Sequence, residues 1–331
     1  MNRTELDNLT DKLIGHLRKK PGQYVAWAKL GSKFKLEQST LEQAATLADQ
    51  WEYKLRRNRK RGIKFVAAPD LLTSTEILWS LKTRRLGRTV HACGCVKSTN
   101  DLAAKLAEEG APEGVIVTAE EQTRGRGRQG RRWYSPPKTG IYLSIILRPS
   151  FPPEDAPGLS VMTAVALADA ISKWKPGLVQ IKWPNDVWIN GRKTAGILTE
   201  LFAERNGIHH VIVGVGINVN QQAGDFPEDL RATATSLHRE LRRRVDRLEL
   251  LRLFLVNFEK EYTTYLKYRL KKSLTRVRKY SALLGHEVTI QYGQSRRTGQ
   301  VKAINETGAL ILQTADGPET VTAGEVTVVK G

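Results

Sequence analysis

Cysteine is nearly absent: of 331 residues only Cys93 and Cys95 carry a thiol, one residue apart. A Cys-x-Cys pair has poor disulfide geometry, and no cysteine or histidine stands at zinc spacing from it. A disulfide scaffold and a structural zinc module are therefore excluded, and two reduced thiols are expected. Long apolar runs are missing too. None approaches the ~20 residues of a membrane span, and the opening residues, Met1-Asn-Arg-Thr-Glu5, contain no secretory hydrophobic region, so no membrane association is expected and the cytoplasm is the expected compartment. Acidic residues are few, 34 against 53 basic, for a net charge of +19. That excess implies attraction to nucleotides, nucleic acid or acidic protein surfaces, and says nothing of the fold. The 40% hydrophobic content is ordinary for a chain with a real core, and the length suits two or three domains.

The densest positive charge lies in residues 122–133, Gln-Thr-Arg-Gly-Arg-Gly-Arg-Gln-Gly-Arg-Arg-Trp, with five arginines and three glycines. Glycine permits tight bends and close approach of backbone N–H groups to a ligand. Arginine offers planar, permanently charged donors that match phosphate and carboxylate oxygens, and Trp133 adds a face on which a purine could stack. A solvated Gly/Arg tail would have the same composition. Here, however, the segment lies between two strand-like runs, residues 114–119 and 140–147, which places it in a folded sheet domain and favours an anion-binding loop.

Helical spacing is expected over residues 6–18, 25–33 and 41–55, the last after a Ser39 or Thr40 cap. The basic run 56–61 and the strand-like 63–66 follow. Three short helices and a basic hairpin are the order of a winged helix-turn-helix, so DNA binding has to be considered. The third helix, however, carries Glu37, Glu42, Asp49 and Glu52 and no cation before Lys54, the wrong sign for a major-groove reader. The wing, with Arg56, Arg57, Arg59, Lys60 and Arg61, could hold phosphate without reading sequence. A weak, wing-led DNA contact and a purely protein-contact role both remain open. A helix over 75–81 and the basic cluster Lys82, Arg84, Arg85, Arg88 are expected to form a solvated connector.

The main domain is expected from Thr89: a strand over 91–96, Ser98-Thr-Asn100 capping a helix over 101–109, the Gly/Arg loop, strand 140–147, and an apolar helix over 159–174. A helix amino terminus with hydroxyls can hold an oxyanion or an amide ring, although capping is its commoner use. Residues 180–189 read as a strand interrupted by Pro184 and carry Lys182, Asn185 and Asp186. Asn190-Gly191 is a hairpin turn. The returning strand, residues 193–200, is expected to place Lys193, Ala195 and Ile197 on one face, with Gly196 allowing close ligand approach. Strand 211–219 ends at Asn218, a turn residue or a polar ligand. Helical pattern then runs from 236 to 271, and short strands over 287–292, 297–304, 309–314 and 319–329 suggest a small barrel.

Together these motifs resemble the biotin protein ligases, specifically the bacterial type with an amino-terminal winged helix, also called biotin–[acetyl-CoA-carboxylase] ligase or biotin operon repressor. Residues 125–133 are similar to the family's signature loop, Lys182-Trp-Pro-Asn-Asp186 to its second motif and residues 193–200 to its third, in the same order and at matching separations. The resemblance implies an α+β chain of four parts: a winged helix-turn-helix over 1–70, a linker over 71–88, a class II synthetase-like biotin/lipoate ligase domain with a mixed sheet over 89–278, and an SH3-like β-barrel over 279–331. It implies a two-step reaction in which biotin and ATP, accompanied by magnesium, form biotinyl-5′-AMP and pyrophosphate, after which a lysine of a biotin carboxyl carrier domain displaces AMP.

Carried over position by position, Ser98, Thr99, Asn100 and Gln122 hold the biotin head, with Gly196 beside it. Arg126, Gly127 and Arg128 wrap the carboxylate and α-phosphate, and Lys193, with Arg128, neutralises charge developing at the reacting phosphorus. Arg131, Trp133, Asn185 and Asn218 serve the nucleotide, Trp133 against adenine. No protein metal site is expected. Val329 stands where relatives place a basic residue near the nucleotide, and Lys330 is the candidate replacement. A homodimer is compatible with exposed sheet edges, and the family also implies a biotin-responsive repressor function. The alternatives are a biotinyl-AMP-sensing DNA-binding regulator with little ligase activity, and a lipoate–protein ligase on the same fold. The intact catalytic motifs argue against the first, the loop and the barrel against the second.

Overall fold

In the computed structural model, residues 3–204, 207–292, 295–322 and 324–329 are described. Two compact units divide the chain, residues 1–71 and 72–331.

The first unit packs α1 (Arg3–Leu17), α2 (Trp27–Phe34) and α3 (Gln38–Gln50) against an antiparallel pair, β1 (Lys54–Asn58) and β2 (Gly62–Ala67). Leu13, Ile14 and Leu17 of α1, Leu30 of α2, Leu41, Ala44, Ala45 and Ala48 of α3 and Ile63 of β2 make its core. This is the expected winged arrangement. The third helix is shorter than its pattern suggested and starts earlier. It begins after Glu37, whose side chain makes no capping bond, so Ser39 and Thr40 lie inside the helix instead of capping it. It stops at Gln50, after which the basic run enters a strand. Asn58 turns the wing, its side-chain oxygen accepting the N–H groups of Lys60 (3.0 Å) and Arg61 (2.9 Å).

The second unit begins in α4 (Ser74–Leu78) and is built on a seven-stranded mixed sheet. Its strands are β3 (Val90–Val96), β4 (Ile116–Gln122), β5 (Gly140–Leu147), β6 (Val179–Lys182), β7 (Asp186–Ile189), β8 (Arg192–Glu204) and β9 (Gly207–Asn218), in the order β3-β4-β5-β9-β8-β7-β6. Only β3 and β4 run parallel; α5 (Thr99–Glu108) joins them. One side of the sheet carries α6 (Gly158–Ser172) and α8 (Arg247–Tyr268). Helix α6 is apolar nearly all round because it lies between the sheet and α8. The short α7 (Leu237–Leu241) and α9 (Leu274–Tyr280) flank α8.

The last strands are β10 (Glu287–Tyr292), β11 (Ser295–Ile304), β12 (Leu310–Thr314), β13 (Gly317–Val321) and β14 (Glu325–Val328). They form a five-stranded antiparallel sheet in the order β13-β12-β11-β10-β14, within the four or five short strands expected, with the run 319–329 divided between β13 and β14. Trp183 Nε1 donates to the Gly308 carbonyl at 2.7 Å, tying this domain to the main sheet. No helix of the described residues is long and apolar enough to cross a membrane.

Three local expectations change. Residues 180–189 are two strands, not one interrupted strand: Trp183-Pro184-Asn185 reverses the chain, and Lys182 pairs with Asp186. In β8 the register shifts opposite Val187 and Trp188, so Lys193 pairs with Trp188 and Ala195 with Val187. This bulge buries Ala195 and Ile197 in the core and leaves Lys193 beside Gly196 on the cavity. In the connector the side chains of Lys82, Arg84, Arg85 and Arg88 are exposed, as expected, but its backbone is held. The backbone N–H groups of Arg84, Arg85 and Leu86 converge on the carboxylate of Glu259 in α8 at 2.6–2.9 Å, and Leu72, Ile77, Leu81 and Leu86 enter the core of the second unit.

Candidate active site

The outer face of the sheet, opposite α6, has a floor of glycine. Gly196 and Gly216 face one another across β8 and β9, and Gly214 faces Leu198. Without side chains there, other groups lie directly on the strands. A Cβ at Gly214 would fall 2.1 Å from Asn100 Oδ1, and one at Gly216 would fall 2.3 Å from Trp133 Nε1. Above this floor is a cavity of about 550 Å³.

The segment after β4 forms the cavity's lid as a hydrogen-bonded hairpin. Gln122 N donates to Ser135 O, Trp133 N to Gly125 O (2.9 Å) and Gly127 N to Arg131 O (2.7 Å). This fold turns Arg126, Gly127, Arg128 and Arg131 to the cavity and lays the Trp133 indole across Gly196 and Gly216. The indole N–H is buried without a hydrogen-bond partner among the described residues.

At one end, a polar network surrounds the start of α5. Gln122 Oε1 accepts from Thr99 N (2.8 Å) and Thr99 Oγ1 (3.1 Å), and Gln122 Nε2 donates to Ser135 Oγ (2.9 Å). Ser144 Oγ lies 2.8 Å from Thr99 Oγ1 and 2.6 Å from Asn100 Oδ1, while Asn100 Nδ2 donates to Glu200 Oε2 (2.6 Å). Ser98 is the helix's N-cap residue, yet its side chain makes no capping bond. Ser98, Thr99 and Asn100 are all buried and all line the cavity. This end suits a neutral polar ring with both donors and acceptors.

The other end is charged. Lys193 Nζ lies 2.7 Å from Asp186 Oδ1 and 5.5 Å from the centre of the Trp133 ring. Arg128 Nη1 donates to Asn185 Oδ1 at 3.1 Å, and Asn185 Nδ2 to Ile197 O at 2.9 Å. Arg126 reaches back to the first network: it bridges Asp101 and Glu200, each at 2.8 Å, and Glu200 Oε2 is the atom that also accepts from Asn100. Arg131 pairs with Glu325 of β14, which brings the carboxyl-terminal sheet to the cavity. Burial pulls the guanidinium of Arg128 and the ammonium of Lys182 below their ordinary pKa values, opposed by the charge of Asp186. The hydrogen bond from Arg131 holds the Glu325 carboxyl below the usual range. Cations so desolvated gain most from an anionic ligand.

All the residues singled out from the sequence, Ser98, Thr99, Asn100, Gln122, Arg126, Gly127, Arg128, Arg131, Trp133, Asn185, Lys193, Gly196 and Asn218, line this one cavity. Trp133 lies on the glycine floor, against Gly196 and Gly216. Val329 is exposed and does not line the cavity, and Lys330 lies outside the described residues; the carboxyl-terminal residues that do line it are Gly324, Glu325 and Val326. Sequence reasoning also missed Glu200, Ser144 and Asp101. Glu200 ends the third motif, and its carboxylate among so many arginines was the available signal.

Gly214→Ala tests the floor. The added methyl cannot coexist with Asn100 as placed, and a single donor lost from such a network costs on the order of 1–3 kcal/mol. Binding of the ligand's neutral polar end is expected to weaken about 10- to 100-fold with the thermal midpoint lowered only slightly, read by isothermal titration and calorimetry.

The biotin/lipoate A/B protein ligase family matches residues 93–218, and the biotin protein ligase C-terminal domain matches residues 283–329. The bifunctional ligase/repressor BirA of Bacillus spizizenii is 36% identical over 274 residues, covering 83% of this chain and 84% of that protein. The biotin–[acetyl-CoA-carboxylase] ligase of Paracoccus denitrificans is 34% identical over 233 residues, 69% of this chain and 96% of the relative. The structure of biotin protein ligase from Aquifex aeolicus in complex with biotin and ATP superposes with a TM-score of 0.63 at 27% identity, covering 74% of this chain and all of that one. The chain belongs to the biotin protein ligase family.

Proposed function

We propose that the chain is an ATP-dependent biotin–protein ligase. The observation that carries the reading is one glycine-floored cavity lined both by the hydroxyl and amide groups of Ser98, Thr99, Asn100 and Gln122 and by the cations Arg126, Arg128, Arg131, Lys182 and Lys193. In this reading the ureido head of biotin takes the network of Ser98, Thr99, Asn100 and Gln122, with Gly196 beneath it. The carboxylate and the α-phosphate lie between Arg126, Gly127, Arg128 and Lys193. A carboxylate oxygen attacks the α-phosphorus, the bond to the β-phosphate breaks, and pyrophosphate leaves. Lys193 and Arg128 answer the charge that gathers there, and preorganised cations in a site shielded from water do this best. Trp133, Arg131, Asn185 and Asn218 take the nucleotide. In the second step an uncharged acceptor amine attacks the acyl carbon, AMP departs and the nitrogen loses a proton.

Magnesium enters with ATP. Among the described residues no group of three or more His, Cys, Asp or Glu could hold a metal, and the cavity's Asp186 and Glu325 are engaged by Lys193 and Arg131. The acceptor is a biotin carboxyl carrier domain. The winged first unit supports DNA binding and a biotin-responsive repressor role, and β3, an edge of the main sheet, offers backbone for a homodimer.

The test is pyrophosphate release from ATP and magnesium with biotin, with lipoate or with neither. Release with biotin only is expected. Release with lipoate only would keep the fold and replace the substrate; release with neither, in folded protein, would favour a ligand-sensing regulator.

A further inference from the structure

Arg247, the first residue of α8, is fully buried. Neither it nor its partner Glu120 lines the cavity. Arg247 Nη1 donates to Glu120 Oε2 at 2.8 Å and to the Gly140 carbonyl at 3.0 Å, and Nη2 lies 3.4 Å from Glu120 Oε1. Glu120 Oε1 also accepts the N–H of Leu72 at 2.5 Å, where the second unit begins.

These contacts sit at the root of the arginine–glycine lid. The ladder between β4 and β5 has its final pair at Ala119 and Tyr142, and beyond it the two chains part to form residues 123–139. Arg247 spans that divergence, with Glu120 on the outgoing stem and Gly140 on the returning one. Each stem leads straight into the site. Glu120 is two residues before Gln122, which anchors Thr99 and Ser135. On the return side the Tyr142 hydroxyl donates to Pro136 O at 2.9 Å, and Asn220 N donates to Thr139 O at 2.7 Å. A side chain at Gly140 is excluded because its Cβ would lie 2.3 Å from the Tyr142 hydroxyl.

A buried ion pair is a poor device for stability alone, since apolar residues of similar volume serve as well or better. What apolar residues cannot supply is directional bonds from one group to two chains. We propose that Arg247 and Glu120 are a positioning pair that fixes both stems of the lid, so that the lid places Arg126 and Arg128 on the reacting groups and keeps water from the acyl adenylate. This rests on the ligase reading above. The role follows from chemistry: a mixed anhydride hydrolyses unless the lid stays shut.

The experiment compares the full-length protein with Arg247→Lys, Arg247→Met and the apolar pair Arg247→Met/Glu120→Leu, each checked for native circular dichroism and thermal midpoint. With biotin and ATP but no acceptor, pyrophosphate release by the unaltered protein is expected to stop near one equivalent, because the adenylate is retained. In Arg247→Met and in the apolar pair it is expected to continue, with adenylate lost about tenfold faster, and Arg247→Lys is expected to recover part of the retention. A purely structural pair would change the midpoint and leave this retention alone. Trypsin cleavage after the lid arginines gives a second reading that needs no activity, and is expected to quicken about tenfold in the same variants. A folded apolar-pair variant with unchanged retention and unchanged cleavage overturns the proposal. If the unaltered protein releases no pyrophosphate with biotin while cleavage still quickens in the variants, the ligase reading falls and the positioning pair stands.

Discussion

Lys193→Ala is expected to slow biotin-dependent pyrophosphate release by about 10²- to 10³-fold, the usual cost of removing one preorganised donor from developing charge. The thermal midpoint should fall by only a few degrees. The backbone at this position is held without the side chain: Lys193 N donates to Thr233 O at 2.8 Å, and Thr235 N donates to Lys193 O at 2.9 Å. The side chain packs little, being 34% exposed, and its ion partner among the described residues is Asp186, itself 19% exposed. Losing the ammonium therefore leaves one largely buried carboxylate unanswered, a cost of roughly 1–3 kcal/mol. Lys193→Ala/Asp186→Asn separates the two effects. The double variant is expected to regain stability and remain as slow as the single one. Recovery of rate in the double variant would mean that Lys193 acts only by neutralising Asp186. Near-normal adenylation by folded Lys193→Ala would remove the lysine from the chemistry altogether.

The parts of this site legible in the sequence were those whose chemistry is local. A run of arginines and glycines between two strands declares an anion-binding loop because composition alone restricts what it can do, and the Asn190-Gly191 turn declares its hairpin. Where the outcome depended on partners far along the chain, the sequence was silent. Nothing near Pro184 says whether a strand is interrupted or reversed; the reversal depends on the pairing of Lys182 with Asp186 and on the Trp183 bond to Gly308, 125 residues on. Alternation along β8 fails at the bulge opposite Val187 and Trp188, which decides whether Lys193 faces the core or the cavity. Glu325 meets Arg131 across 194 residues, and Arg247 meets Glu120 across 127. The basic side chains of the connector are solvated as read, but nothing nearby predicts that Glu259 collects three of its backbone N–H groups.

The same limit bears on the first unit, where charge counting set an acidic α3 against a basic wing. The structure gives two of those acids partners. Of the acids on α3, Asp49 is answered by Arg57 of the wing at 2.7 Å, and Glu42 accepts from Gln38 at 2.8 Å. The exposed residues of the helix also include Gln38, Ser39, Gln43, Thr46 and Gln50, amides and hydroxyls of the kind that read base edges. On the wing, Arg56, Arg59, Lys60 and Arg61 are all exposed, and among the described residues Arg61 alone of these four lies over an aromatic ring, 4.7 Å from the centre of Tyr24. If Arg56, Arg59 and Lys60 each neutralise one phosphate, replacing all three with alanine removes about three units of 0.9 from the slope of log affinity against log salt, which at 0.1 M salt is roughly a 500-fold loss of DNA binding. Fluorescence anisotropy over a salt series, on duplexes of unrelated sequence, gives both quantities. The loss should be the same on every sequence, because phosphate contacts carry no base information. Pyrophosphate release is the control and should not change. An unaltered slope would take the wing off the DNA. A loss confined to one duplex, with tight binding elsewhere untouched, would instead give base reading to the wing and leave α3 without that role.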